Sequence, residues 1–308
     1  MAYFLGVDSG GTKAEFVLGD ETRELARVRT GTIKRLKVDA AAAEANLLEA
    51  LRQLQSATGI SPRQVSRCCI GTAGETVPLV VAWLREAFSR HVAGELSITG
   101  DVDVALDSVF FGGRGLLVLA GTGSNVAGRA ASGAIVTAGG WGPALADQGS
   151  GQFIGLEALR RGFLAIDQRR PTSLLDRARA FWKIASLEDL VEFANSNPSP
   201  DFSRLAPLVV EAAEQGDAVA GEVLDQGGAD LASLAALVIE HVRALEADPL
   251  GFAIPAVAMA GSVLERVAPV RKALIDELRR KYPDITVIEK PADPPAGALW
   301  AARAAAHQ

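Results

Sequence analysis

Apolar and polar positions along the first hundred residues follow two periods in turn. Residues 3–7, 14–18 and 24–29 are short runs of β-forming, largely apolar residues separated by turns of glycine and charge, which predicts three meandering strands. The period then lengthens. Ala43, Leu47, Leu48, Leu51 and Leu54 fall on one face of a helix that Asp39 is placed to cap and that runs to about residue 55. A short buried strand over 67–70, a helix over 80–91, a strand over 95–99 and a helix from about Val104 complete the order βββαβαβα.

Near Gly112 the pattern restarts, with strands expected over 116–119, 125–129 and 134–137. Beyond Gly149 the chain becomes mainly helical to about Asp248, broken at the Pro-rich stretch 195–200. Residues 217–247 predict one long apolar helix, or two interrupted at Gly227-Gly228. A strand over 254–260, a helix over 263–281, a strand over 285–289 and an Ala-rich helix over 296–306 follow. The restart implies an internal duplication and an α/β fold with mixed sheets. The expected domains are 1–114 and 115–308, with the last helix packing back on the first.

Two strand–turn–strand segments stand out: Gly6-Val7-Asp8-Ser9-Gly10-Gly11-Thr12-Lys13 and Leu119-Ala120-Gly121-Thr122-Gly123-Ser124-Asn125. Glycines let successive backbone N–H groups converge on an anion, and the Thr hydroxyls add donors. A dinucleotide fingerprint or Walker loop leads into a helix, whereas Ala14–Leu18 continues in β-formers. Gly6-x4-Gly11 is also followed by Thr12-Lys13 in place of Lys-Ser/Thr. Two such turns suggest a clamp gripping one polyphosphate from two sides.

Composition narrows the classes. The chain has 308 residues, 49% of them hydrophobic, and a formal net charge of −6, which argues against nucleic acid as the main partner. No signal sequence and no apolar stretch of membrane-spanning length is visible, so a cytoplasmic protein is expected. Cys68 and Cys69 are adjacent, and His91, His241 and His307 are scattered, so neither a disulfide nor a zinc site is indicated.

Three acids carry the candidate chemistry. Asp8 ends the first strand at the phosphate turn, where a carboxylate calls for a cation, Mg2+ held through water. Asp101 lies at the C-terminal end of a strand, where α/β sheets bind ligands, and could take a proton from a hydroxyl attacking phosphorus; alternatively it caps the next helix. Asp103 and Asp107 are close by in sequence, and the strand-end position favours Asp101. Asp147 belongs to the densest glycine loop, Gly139-Gly140-Trp141-Gly142 to Gly151, whose wall and carboxylate suit a polyhydroxyl ligand. Gly261, between a strand and a helix, would let an adenine lie flat on backbone.

Together these motifs resemble the N-acetylglucosamine kinase branch of the sugar kinase/actin-like ATPase superfamily. Within it the chain is similar to the group shared with the activator ATPases of benzoyl-CoA reductase and hydroxyacyl-CoA dehydratase. The resemblance covers nearly the whole chain. It implies two actin-like (ribonuclease H-like) domains of duplicated topology flanking a nucleotide cleft, and an ATP- and Mg2+-dependent kinase acting on an amino sugar hydroxyl, O6 by analogy. It implies Asp101 as base, Asp8 as metal support, and nucleotide contacts from Gly10, Gly11, Thr12, Lys13, Thr122, Gly123, Ala213 (in the motif 211–217, taken as a helix start) and Gly261. Sugar contacts fall to Ser124, Asn125, Gly140, Trp141, Gly142 and Asp147, and the assembly to a homodimer. The chain departs from the family in two places. The stretch 31–37 has no sugar-binding Asn and carries Lys34 and Arg35, which could receive an anionic sugar substituent or be solvent-exposed. The loop has Ala146-Asp147-Gln148-Gly149 where the family has Gly-Asp-Glu-Gly. The rivals are a dehydratase-activator ATPase, which needs cysteines for an iron–sulfur cluster, a non-catalytic sugar-binding regulator, and a hydrolase with paired carboxylates, which leaves the phosphate turns unexplained.

Overall fold

The computed structural model describes residues 2–248 and 251–306; His307 lies outside them. The chain divides into two compact units. The first runs to Gly113 and takes in the chain again from Ala292, and the second is Arg114–Pro291.

The first unit forms in the expected order: β1 (Tyr3–Ser9), β2 (Lys13–Gly19), β3 (Glu24–Gly31), α1 (Ala40–Thr58), β4 (Val65–Thr72), α2 (Pro78–His91), β5 (Glu95–Thr99) and α3 (Asp101–Phe110). Its sheet has the order β3-β2-β1-β4-β5, with β1 antiparallel to β2 and parallel to β4. Local chemistry sets the helix ends. The Asp39 carboxylate accepts the Ala42 N–H at 2.8 Å to start α1, and Gly59, at φ +74°, ends it in the left-handed conformation that glycine tolerates.

The second unit repeats the meander with β6 (Gly115–Ala120), β7 (Ser124–Arg129) and β8 (Ile135–Gly139). Seven helices and one strand follow: α4 (Gly151–Asp167), α5 (Leu174–Trp182), α6 (Leu187–Ala194), α7 (Ala206–Glu214), α8 (Ala218–Leu245), β9 (Val257–Ala260), α9 (Ser262–Arg266) and α10 (Ala268–Lys281). The sheet order is β8-β7-β6-β9, with β9 parallel to β6.

One open alternative closes and two expectations are corrected. Helix α8 is the single helix of the two readings, running unbroken through Gly227-Gly228. These glycines serve packing, since a Cβ on Gly228 would lie 2.4 Å from the Val270 carbonyl oxygen of α10. The helix expected over 263–281 is two, because Pro269 has no N–H to continue α9 and so starts α10 instead. The strand expected over 285–289 shrinks to a single parallel bridge between Val257 and Val287, held by Val257 N–H to Thr286 O and Ile288 N–H to Val257 O.

Helix α11 (Pro294–Ala304) belongs to the first unit. It covers one face of the sheet, where Ala298, Leu299 and Ala302 pack with Phe4, Val17, Cys69 and Val104. Leu5 and Val7 face the opposite core with α1 and α2 residues, so β1 is buried on both sides and has a near-continuous apolar sequence. The approach is backbone to backbone. A Cβ on Gly6 would lie 2.3 Å from Leu299 N, and one on Gly297 would lie 1.8 Å from Val104 O. Gly297→Ala is therefore expected to destabilise the protein by at least about 3 kcal/mol. A denaturant midpoint unchanged from wild type would contradict this packing.

Candidate active site

The groups singled out from sequence fall into two sets, one in each unit. In the first unit, β1 ends at Asp8-Ser9 and the turn through Gly10-Gly11-Thr12 leads to β2, leaving Gly11, Thr12 and Lys13 exposed. Neither glycine has a positive φ, so their use there is the open backbone surface rather than a special dihedral. Thr32, only 6% exposed, braces this turn. Its hydroxyl donates to Gly10 O at 2.7 Å and accepts the Lys34 N–H at 3.0 Å, while Asn46 Nδ2 donates to Thr32 O at 2.9 Å. Sequence reasoning missed Thr32 and Asn46, because nothing local marks a threonine as a brace for a turn 22 residues away. Lys13 Nζ lies 2.6 Å from Glu15 Oε1, and Arg29 pairs with the same carboxylate at 2.7 Å.

Asp101 is the first residue of α3, with Gly100 as its cap, so the helix-capping alternative is set aside. Its Oδ1 accepts the Val102 N–H at 2.9 Å. Burial raises the Asp101 pKa above the ordinary carboxylate range, against that N–H bond and the Lys34 charge, which lower it. Asp8 is pushed from 3.8 to about 6, first by burial and next by the charge of Asp101. The two acids thus share one electrostatic neighbourhood. Lys34 belongs to it as well, whereas the Arg35 guanidinium is engaged by Val38 O. Among the described residues no three His, Cys, Asp or Glu side chains gather as a metal cage. Hard carboxylate oxygens in a field too negative for them do suit Mg2+, which takes one or two carboxylates and fills its remaining positions with water and phosphate oxygens.

In the second unit the β6–β7 turn is knitted to the glycine loop and to the start of α4. Gly121 N–H donates to Gly123 O at 2.8 Å. Gly121 O accepts the Gly151 N–H at 2.7 Å, and Thr122 O accepts the Gln152 N–H at 3.2 Å. Ser124 Oγ donates to Gln148 O at 2.7 Å, and the Asp147 carboxylate takes backbone N–H groups of Ser124 and Gly142 while burial raises its pKa. Asn125 packs against Gly140, and Asp147 Oδ2 lies 3.0 Å from where a Gly123 Cβ would stand. Gly261, at φ +95°, sits against Ala120 O and Gly121 N. Thr122, Gly123, Ser124, Asn125, Gly140, Gly142, Asp147 and Gly261 are therefore brought together. Trp141 is in the same loop but 75% exposed. In the motif 211–217 the helix start is that of α8, capped by Asp217, and Ala213 lies in the last turn of α7 before it.

Two α/β units, each opening with a three-stranded meander and a glycine turn, form the fold of the actin-like sugar kinases among the structural neighbours. The chain belongs to the BadF/BadG/BcrA/BcrD ATPase family, whose model matches residues 5–305. Relatives include an N-acetylmuramic acid/N-acetylglucosamine kinase of Clostridium acetobutylicum, 26% identical over 98% of this chain and 99% of the relative. An N-acetyl-D-glucosamine kinase of Dictyostelium discoideum is 29% identical over 96% of each chain. A crystal structure of a protein of Chromobacterium violaceum assigned as an N-acetylglucosamine kinase superposes with a TM-score of 0.71 at 26% identity, covering 97% of this chain and 98% of that one.

The raised Asp8 pKa has a definite sign. The folded state holds this proton more tightly than the unfolded chain, so Asp8 penalises folding increasingly as pH rises from about 4 through 6. Asp8→Asn is expected to stabilise the protein by about 1–3 kcal/mol at pH 8 and by little at pH 4. Thermal midpoints at the two pH values measure this, and an equal effect at both would count against the buried charge.

Proposed function

We propose that this protein transfers the γ-phosphoryl group of ATP to a hydroxyl of an amino sugar, O6 of N-acetylglucosamine or a related hexosamine. The observation that carries the reading is that β1, β4 and β5 run parallel in one sheet, so Asp8 near the end of β1 and Asp101, opening α3 after β5, stand at the same sheet edge, where burial and then the charge of Asp101 raise the Asp8 pKa. Membership of an ATPase family with amino sugar kinase relatives supports it. Backbone N–H groups and side chains at Gly10, Gly11, Thr12, Lys13, Thr122 and Gly123 bind the phosphates, and Ala213 and Gly261 lie along the adenosine. Asp101, its carboxylate oriented by the Val102 N–H and its pKa raised toward working pH, aligns the acceptor hydroxyl and removes its proton. Ser124, Asn125, Gly140, Trp141, Gly142 and Asp147 hold the sugar. Asp8 would hold Mg2+ through water, and that ion, when bound, neutralises charge on the transferring phosphoryl. Positioning supplies much of the acceleration in such chemistry. The same reading makes the protein a cytoplasmic homodimer.

The iron–sulfur rival needs accessible thiolates. Cys68 and Cys69 are buried on β4, 1% and 2% exposed, and burial pushes the Cys69 thiol up to about 11.

Asp101→Asn should lower kcat at least ~100-fold with the KM for ATP little changed, measured by ADP release across a panel of amino sugars. Near-normal turnover would remove the assignment. Lys34, within the field of Asp101, extends the acceptor class to sugars carrying a carboxylate. Lys34→Ala should then weaken the use of N-acetylmuramic acid more than that of N-acetylglucosamine. Equal losses on the two sugars would exclude that role.

A further inference from the structure

The glycine turn between β1 and β2 has a second turn of the first unit beside it. After β3 ends at Gly31, Thr32 and Ile33 are buried and anchor the chain, Ile33 in the core that α1 residues also fill. Residues 34–38 then close a tight turn, in which Lys34 O accepts the N–H groups of Lys37 and Val38 at 2.8 and 3.2 Å. The Thr32 hydroxyl joins the two turns, since it accepts the Lys34 N–H and donates to Gly10 O. Three cations in the second turn have different surroundings. Arg35 donates to Val38 O within the turn. Lys34 acts on Asp101, its charge opposing the pKa rise that burial causes. Lys37 lies over the glycine turn: its Cε is 3.9 Å from where a Gly11 Cβ would stand, and the ammonium is one bond further on. That ammonium has no hydrogen-bond or ion-pair partner among the described residues. Lys13, the other lysine at the glycine turn, is 2.6 Å from Glu15 Oε1.

We propose that Lys37 is a further phosphate-binding residue, its ammonium donating to the polyphosphate that the Gly10–Thr12 turn receives. This rests on the ATP-dependent kinase reading and adds a residue to its nucleotide side. Lysine suits the position because its apolar stem can lie along bare glycine backbone while the charged head stays hydrated until a phosphate oxygen takes the place of water. Gly11 is exposed and puts no side chain between that stem and the main chain of the turn. Two cations then meet the phosphates from separate segments, Lys13 from β2 and Lys37 from the turn after β3. Only Lys13 must leave a carboxylate to do so.

The test uses Lys37→Met, which keeps the stem and loses the charge, and Lys37→Arg, which keeps both. Calorimetric titration with magnesium and a non-hydrolysable ATP analogue gives the nucleotide Kd without any sugar. Initial rates of ADP release, varying ATP and N-acetylglucosamine separately, give the two KM values. Lys37→Met is expected to raise the nucleotide Kd and the KM for ATP by about 10-fold or more. The KM for the sugar and the thermal midpoint should stay as they are in the unaltered protein. Lys37→Arg is expected to remain within about threefold of it, since the cation is retained. An unchanged nucleotide Kd in Lys37→Met overturns the proposal and makes Lys37 a solvated surface residue. So does a parallel rise in both KM values with a lowered midpoint, which marks a residue that only supports the turn. An arginine variant as impaired as the methionine one overturns it too, because charge would then not be the cause. Absence of nucleotide binding by the unaltered protein would remove the functional reading and this inference together. Nucleotide binding that responds to Lys37→Met, without sugar-dependent ADP release, would uphold the inference and overturn the sugar kinase reading alone.

Discussion

The contact of α11 with β1 and α3, main chain against main chain, is the constraint on which the first unit depends. Gly6 and Gly297 permit it, since any side chain at either position would occupy the space of a neighbouring peptide group. One helix is thereby pressed against the strand that ends at Asp8 and the helix that begins at Asp101. Both carboxylates are drawn out of water, and desolvation is the largest cause of the raised pKa of each. Asp8 shares a face of β1 with Gly6, so this acid pair belongs to the side of the sheet that α11 and α3 cover. The close packing also recasts Gly6, the first glycine of the motif, whose service is to α11, while Gly10 and Gly11 form the turn itself.

The second unit reaches a comparable rigidity by hydrogen bonding. Carbonyls of the β6–β7 turn take the first N–H groups of α4, and the Ser124 hydroxyl ties β7 to the loop that precedes that helix. Two sequence-distant segments are tied together because each satisfies polar groups the other leaves open. Gly261 adds a third, seated against Ala120 and Gly121 in a conformation that a side chain would strain.

Elements whose cause is local were legible in the sequence. Asp39 caps α1 and Gly59 ends it through bonds and dihedrals set within a few residues. The three-strand meanders follow from alternation and glycine turns, and the restart after Gly113 from their repetition. Membership of the family was legible too, since the phosphate and sugar-loop motifs are contiguous. What escaped was whatever depends on contact between distant segments. The sequence left open whether Gly227-Gly228 interrupts a helix, because the α10 surface that Gly228 packs against is not visible from α8. Thr32 carried no signal, since the turn it braces lies 22 residues away.

The linear chain by itself determined which segments become strands and helices and which turns carry glycine and threonine, since period, caps and turn residues act over a single turn or pair of strands. Tertiary structure alone decided that Asp8 and Asp101 are desolvated and that the charge of Asp101 acts on Asp8. Burial and coulombic coupling are properties of what surrounds a group in space, and those surroundings are assembled from residues that sequence proximity never brings together.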